Sequence, residues 1–303
     1  MYFTPFVTSS RWVVLALVSA FATFTADTLA QRPATDPVGI VKETFSGSRL
    51  VSAPVWASVA AQAPLDSVNA AKVGFPNVPA LGTSHFLLVL DGPAKGAVRT
   101  ILAVNGDLLT LETAISDLAA GHSVKLIEHF TLGHLQAASG GTMPNNTTCT
   151  IYNIDGSRDV YSSSGGNWYD NNFAISDDIV ILPGEGVVMS FASETTLSYS
   201  GVVNIDEFSI QVSSSAVNLV ASGNPTAPIG AGSIGEALSA LVNNSTVTLY
   251  SEDGQLTRSG TYSLSNGVWY NSDFAPVDIS QAAPGAVVVA PGSSQSVLLS
   301  PAL

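Results

Sequence analysis

NNTTCTIY at residues 145–152 recurs as NNSTVTLY at 243–250, and this pair of octapeptides decides how the chain is read. The two match position for position: a pair of asparagines, then threonines alternating with apolar residues. An apolar/polar period of two marks a half-buried strand, and Asn-Asn ahead of it is turn material. Cys149 and Ile151 therefore share an inward face, as do Val247 and Leu249, while Thr148, Thr150 and Tyr152 share the other. Cys149 is the chain's sole cysteine. Because its counterpart is valine, the shared structure needs no thiol, and Cys149 is expected to serve as a small core hydrophobe. A single cysteine also forms no internal disulfide.

The duplication extends downstream at an offset of 101 residues. GGNWYDNNF at 165–173 is echoed by NGVWYNSDF at 266–274, Asp177 aligns with Asp278, and LPGEGVVM at 182–189 is echoed by APGAVVVA at 283–290. The change in offset from 98 lies in the hairpin turns DG at 155–156 and DG at 253–254, where a repeated β-fold tolerates a change of length. Upstream, TLGHL at 131–135 resembles SIGEAL at 233–238, and RLVSAP at 49–54 resembles NLVASGNP at 218–225. These landmarks are far apart in the first copy and close in the second, so the first copy carries an insertion.

Within the insertion, apolar runs at 86–90, 97–104, 108–113 and 123–128 are separated by DGPAKG, NGD and DLAAG. Short strands joined by tight turns predict a small, curled, barrel-like module. The expected architecture is all-β: two homologous β-sandwich-like units, the first interrupted by the small barrel-like β-module. The boundaries are a signal peptide at 1–30, a first unit from 31–61 and 129–205, the module at 62–128, and a second unit at 206–303. Residues near 62 and 129 are expected to be neighbours, with the module outside the shared core and its deletion survivable. FLLVL at 86–90 is too apolar for an isolated sheet, so the module is expected to dock against the acidic units.

Of the 303 residues, 46% are apolar and 11% charged, and the net charge is −13; such a chain folds, with a neutral-polar surface. Up to Lys125 eight acidic residues balance eight basic ones, whereas beyond it fifteen acidic residues face only Arg158 and Arg258. With no basic track to displace counterions, nucleic acid is discounted as a partner. At the N-terminus Arg11 precedes the apolar run Trp12–Ala26, and TLA ends at Ala30. This is the pattern of a cleaved secretory signal, its run shorter than the roughly twenty residues of a membrane span. A secreted, periplasmic or cell-surface protein follows, without membrane insertion after cleavage.

DPVG at 36–39, RLVSAP, FTLGHL at 130–135, GGNWYDNNF and LPGEGVVM, in this order behind a signal, resemble an uncharacterised family of exported, β-rich bacterial proteins of verrucomicrobial type and unknown function. The resemblance implies export and β-architecture and supplies no catalytic residue. The second copy reads APGAVVVA, so Glu185 has no counterpart there.

Chemistry-bearing residues are few. The repeated pairs Trp168–Tyr169 and Trp269–Tyr270 place one ring inward and one outward on a strand. In one reading tryptophan fills the core, with Phe173 and Phe274 closing the same cluster. In the other, the four rings are platforms for saccharides. Asp170, Asp177 and Asp178 are loop carboxylates suited to calcium, although no EF-hand pattern surrounds them; no other cofactor is expected. His129 and His134 are spaced for neither a helical nor a strand pair of zinc ligands. No GxSxG or HExxH motif occurs, and the adjacent pairs Asp206–Glu207 and Glu252–Asp253 diverge on a strand rather than flank a bond. The expected role is a non-enzymatic structural, surface or adhesive one, the alternative a carbohydrate-binding one, with surface proteins or glycans as partners.

Overall fold

Thr148–Tyr152 and Thr246–Tyr250 are both strands, and in both the alternation of buried with half-buried positions repeats residue for residue. The structure, a computed structural model, describes residues 38–53, 55–81, 84–221, 238, 240–250, 258–279 and 287–299. The signal-like segment 1–30, the start of DPVG, most of SIGEAL, the DG turn at 253–254 and the start of APGAVVVA lie outside the described residues.

Along the chain, β1 (Val38–Ser52) precedes seven strands of the inserted segment: β2 (Val59–Pro64), β3 (Ser67–Asn69), β4 (Lys72–Gly74), β5 (His85–Val89), β6 (Val98–Asn105), β7 (Leu108–Leu111) and β8 (Ser123–Glu128). Then come β9 (Phe130–Thr131), the short helix α1 (Leu132–Ala138), β10 (Thr148–Tyr152), β11 (Arg158–Ser164), β12 (Asn167–Tyr169), β13 (Val180–Ile181) and β14 (Gly186–Val202). The C-terminal part holds β15 (Phe208–Val212), β16 (Asn218–Val220), β17 (Thr246–Tyr250), β18 (Arg258–Ser265), β19 (Val268–Tyr270), β20 (Pro276–Val277), β21 (Val287–Ala290) and β22 (Gln295–Leu299).

The fold is all-β, with two equivalent sheets. The first runs β1-β14-β10-β11-β12 and the second β16-β21-β17-β18-β19-β20, antiparallel throughout. Exchanging β1, β14, β10, β11 and β12 for β16, β21, β17, β18 and β19 turns one order into the other. Registers agree as well. Cys149 pairs with Tyr161 and Met189, Val247 with Tyr262 and Val289, and Ser162 and Ser263 face Tyr169 and Tyr270. The hairpins ahead of the tryptophans turn on Gly165–Gly166 and Asn266–Gly267, all four at positive φ, as a two-residue turn between twisted strands requires.

Each sheet buries one face against a second layer. In the first unit β9 pairs with β13 and feeds α1. Phe130, Leu132 and Leu135 from this layer join Cys149, Trp168 and Met189 in one core. Thr131 starts the helix by a capping box in which His134 stands where glutamate is usual: the Thr131 hydroxyl accepts from the His134 N–H, and His134 Nδ1 accepts from the Thr131 N–H at 3.1 Å. In the second unit the β15–β22 ribbon supplies Phe208, Val212, Val297 and Leu299 to the core that holds Val247 and Trp269.

The inserted sheet runs β2-β8-β5-β6-β7-β4-β3. Its two outermost strands are joined by Leu65–Asp66 alone, so one end of each edge strand is held near the other and the sheet curls into a half-barrel, the curled form that the turn spacing predicts. β2 lies against β8, Val59 opposite Ile127 and Gln62 opposite Lys125, which makes the points of departure and return neighbours. All five residues of β5 are buried. Leu87 and Val89 face the module's own core, while Phe86 and Leu88, with Ile127, belong to the core of the second unit. A strand buried on both faces reads as a continuous apolar run, which accounts for FLLVL. The expectation of a module outside the shared core is thereby corrected: one of its faces is a wall of that core.

Candidate functional site

Trp168 is fully buried and Trp269 is 6% exposed, each in the core of its own unit. A sugar ring needs an open aromatic face, so the two tryptophans are removed from the saccharide platform. Tyr169 and Tyr270 are half-buried. The inward/outward alternation of the WY pair holds, but the residues that follow it depart from expectation.

Phe173 and Phe274, expected to close the core cluster, are instead 86% and 85% exposed. The reason is local. After Tyr169 the chain makes a tight loop in which the Asp170 N–H donates to the Ala174 carbonyl at 3.0 Å and the Phe173 N–H to the Asp170 carbonyl at 3.1 Å. The Asp170 carboxylate accepts from the N–H groups of Asn172 and Ala174, both at 2.8 Å. These bonds, the one from Ala174 foremost, hold that carboxyl below its ordinary range. Chain direction is reversed so sharply that Phe173 takes φ +61° and its ring points away from the sheet into solvent.

The second copy builds the same loop with asparagine. The Asn271 N–H donates to the Ala275 carbonyl at 3.0 Å and the Phe274 N–H to the Asn271 carbonyl at 3.1 Å. Asn271 Oδ1 accepts from Asp273 and Ala275 at 3.0 and 2.9 Å. Phe274 stands at φ +57°. A left-handed backbone disfavours a bulky L-residue and ordinarily selects glycine or asparagine. Both loops rejoin their sheets at equivalent places, Ile175 opposite Tyr169 and Pro276 opposite Tyr270. Ile175, two residues beyond Phe173, is itself 63% exposed.

Two of the three carboxylates considered for calcium serve this geometry. Asp170 braces its loop, and Asp177 Oδ1 accepts from the Trp168 N–H at 2.7 Å, fixing the end of the strand. Asp178 is exposed. Among the described residues no three His, Cys, Asp or Glu side chains converge in a metal-binding group.

A second polar cluster lies where the module meets the first unit. Ser58 Oγ donates to Glu128 Oε2 at 2.7 Å, and His134 Nε2 is 3.9 Å from Glu128 Oε1. The carboxylate stands between hydroxyl and imidazole, whereas nucleophilic triads place the imidazole in the middle. His129 is fully buried, packs on Phe86 with ring centroids 5.0 Å apart, and has neither ring nitrogen hydrogen-bonded. Burial, and then the nearby His85, push it down to about 4. Trp56, Phe86, Phe130 and Phe208 line a narrow cleft beside Glu128.

Cys149 has no exposed surface. Burial, and then the charge of Glu185, push its thiol well above the ordinary range, the reverse of what a nucleophile needs. GAGSIG at 230–235 has the G-x-G-x-x-G spacing of dinucleotide sites, but it lies outside the described residues. Among the described residues no helix is long and apolar enough to cross a membrane. Comparisons with protein-family models, curated proteins and solved structures find no match.

Proposed function

We propose that this chain is an exported, non-enzymatic surface protein of structural or adhesive type, whose two units engage a partner through the loop tips Phe173 and Phe274. One observation carries the reading. In both copies a phenylalanine is held at a backbone angle it disfavours and with its ring in water. Neither burial nor local conformation rewards phenylalanine there, so folding supplies no reason for it, and a contact made outside the chain does. A hydrogen-bonded loop has little backbone freedom left to lose on binding. Two such tips on one chain make engagement bivalent, raising avidity over single-tip affinity. Export rests on the N-terminal pattern Arg11–Ala30.

The experiment is retention of the purified chain on cell envelopes of the source organism, comparing wild type with Phe173→Asn, Phe274→Asn and the double variant. Retention is expected to fall in each single variant and to be lost in the double one, with unchanged circular dichroism. Equal retention by the folded double variant overturns the proposal. Inhibition of wild-type binding by free saccharides, with the phenylalanine variants unaffected, would favour the carbohydrate alternative and Tyr169 and Tyr270 as its contacts.

A further inference from the structure

Lys125 Nζ donates to Asp206 Oδ2 at 2.6 Å across 81 residues of chain. Lys125 is 3% exposed, a state lysine adopts only when its charge is paired. It lies on β8 opposite Leu88 and two residues before Ile127, and both of these belong to the core shared with Phe208. Asp206 sits in the link before β15, its N–H donating to Asn204 Oδ1 at 2.9 Å. The neighbouring carboxylate, Glu207, pairs with Lys95 at 2.8 Å. We propose that Lys125 and Asp206 condense to an intramolecular amide, a covalent tie between the inserted module and the second unit.

The chemistry balances within the pair. One proton passes from the ammonium to the carboxylate across the 2.6 Å bond, giving an amine and a carboxylic acid. The amine nitrogen attacks Asp206 Cγ, a C–N bond forms, and a C–O bond breaks. The departing oxygen leaves as water with two of the three ammonium hydrogens, the third staying on the amide nitrogen. Nothing is oxidised or reduced and no co-reactant enters. A nitrogen this close to one carboxyl oxygen is about 3–3.5 Å from the carbon that bears it, so a turn of the carboxyl plane towards the amine is the one rearrangement that a near-attack geometry requires. A buried ion pair repays its desolvation poorly, and the amide removes both charges from the apolar wall. The Asp206 side chain is 25% exposed, which leaves a path for the water.

The test is the intact mass of the purified full-length chain, measured after denaturation. The wild-type chain is expected to be lighter by one water molecule than its sequence requires. Its digest is expected to contain a branched peptide joining the segments around Lys125 and Asp206. Lys125→Arg is expected to restore the full mass, which separates the amide from a succinimide at an aspartate. A wild-type mass equal to that of the sequence overturns the proposal, as does a lost water that persists in Lys125→Arg. Should that variant fail to fold, the presence or absence of the branched peptide in the wild type decides alone. The proposal is independent of the role assigned to the phenylalanine loops.

Discussion

Replacing Phe173 and Phe274 by asparagine separates what these residues do for the fold from what they do for a partner. A left-handed backbone costs an ordinary L-residue about 1–2 kcal/mol, and asparagine, several-fold enriched there, escapes much of it. We take the relief as about 1 kcal/mol per site. Against it stands the lost ring burial. Only about one seventh of each side chain is covered, and full burial of phenylalanine is worth about 1.5–3 kcal/mol, so about 0.3 kcal/mol is forfeited. Each substitution should therefore stabilise by about 0.7 kcal/mol. The loops belong to different units and share no hydrogen bond, so the double variant should gain about 1–1.5 kcal/mol, equivalent to about 2–4 °C in Tm. Urea unfolding at constant m-value measures the gain. Alanine at the same sites is the control: it keeps the backbone penalty, loses the same burial, and should be neutral to slightly destabilising. Destabilisation of the asparagine double variant by more than about 1 kcal/mol would refute the reasoning, because the rings would then be anchored in the fold.

The other expectations concern the core, its titrating groups and the module. Cys149→Val should change stability by less than about 1.5 kcal/mol, since valine serves at 247, and the native thiol should resist a bulky labelling reagent until the chain unfolds. His129 is pushed down to about 4 from an ordinary 6.5. Its contribution to stability is full above pH 6.5 and is lost as pH falls towards 4, so His129→Leu should flatten the acid limb of a stability–pH curve by about 3 kcal/mol; an unchanged acid limb would sink this. Glu185 is pushed up to about 7 by burial, opposed by the Leu182 N–H that donates to it. That stability is full below about pH 4.5 and lost as pH rises through 7, so Glu185→Gln should stabilise by about 3 kcal/mol at pH 8 and have little effect at pH 4. Stabilisation equal at both pH values would contradict it. Excision of 65–127 with a Gly/Ser bridge should abolish cooperative unfolding. Loss of Phe86, Leu88 and Ile127 opens the core around Phe208 and Leu299 at about 2–5 kcal/mol for each large side chain, and a single sharp transition in the deleted chain would disprove it.

The repeat was legible because strand alternation survives divergence: Cys149 for Val247 and Ile151 for Leu249 change the atoms but not the face. Four of the module's strands, β5 to β8, were legible from their apolar runs, with DGPAKG, NGD and DLAAG marking where each turned, whereas the short β3 and β4 and the alanine-rich β2 carried too little apolar pattern to be singled out. Where the module sat was not, because FLLVL is equally apolar whether its second face is covered by another strand layer of its own or by Phe208 and Val297 of a distant unit. The phenylalanine loops show a different limit. Continued alternation beyond Trp168–Tyr169 places Phe173 by parity, whereas a side-chain oxygen that accepts from the residues two and four positions on reverses the chain and sets the ring outward. The signal was nevertheless present. Asp170 and Asn271 are residue types that capture backbone N–H groups of their own loop, and each stands three residues before a phenylalanine followed by alanine. An Asx residue at the end of a strand cancels the period of two, so any aromatic within its loop has to be placed by hydrogen-bond geometry. In this chain that geometry moves Phe173 and Phe274 from the core face to the surface.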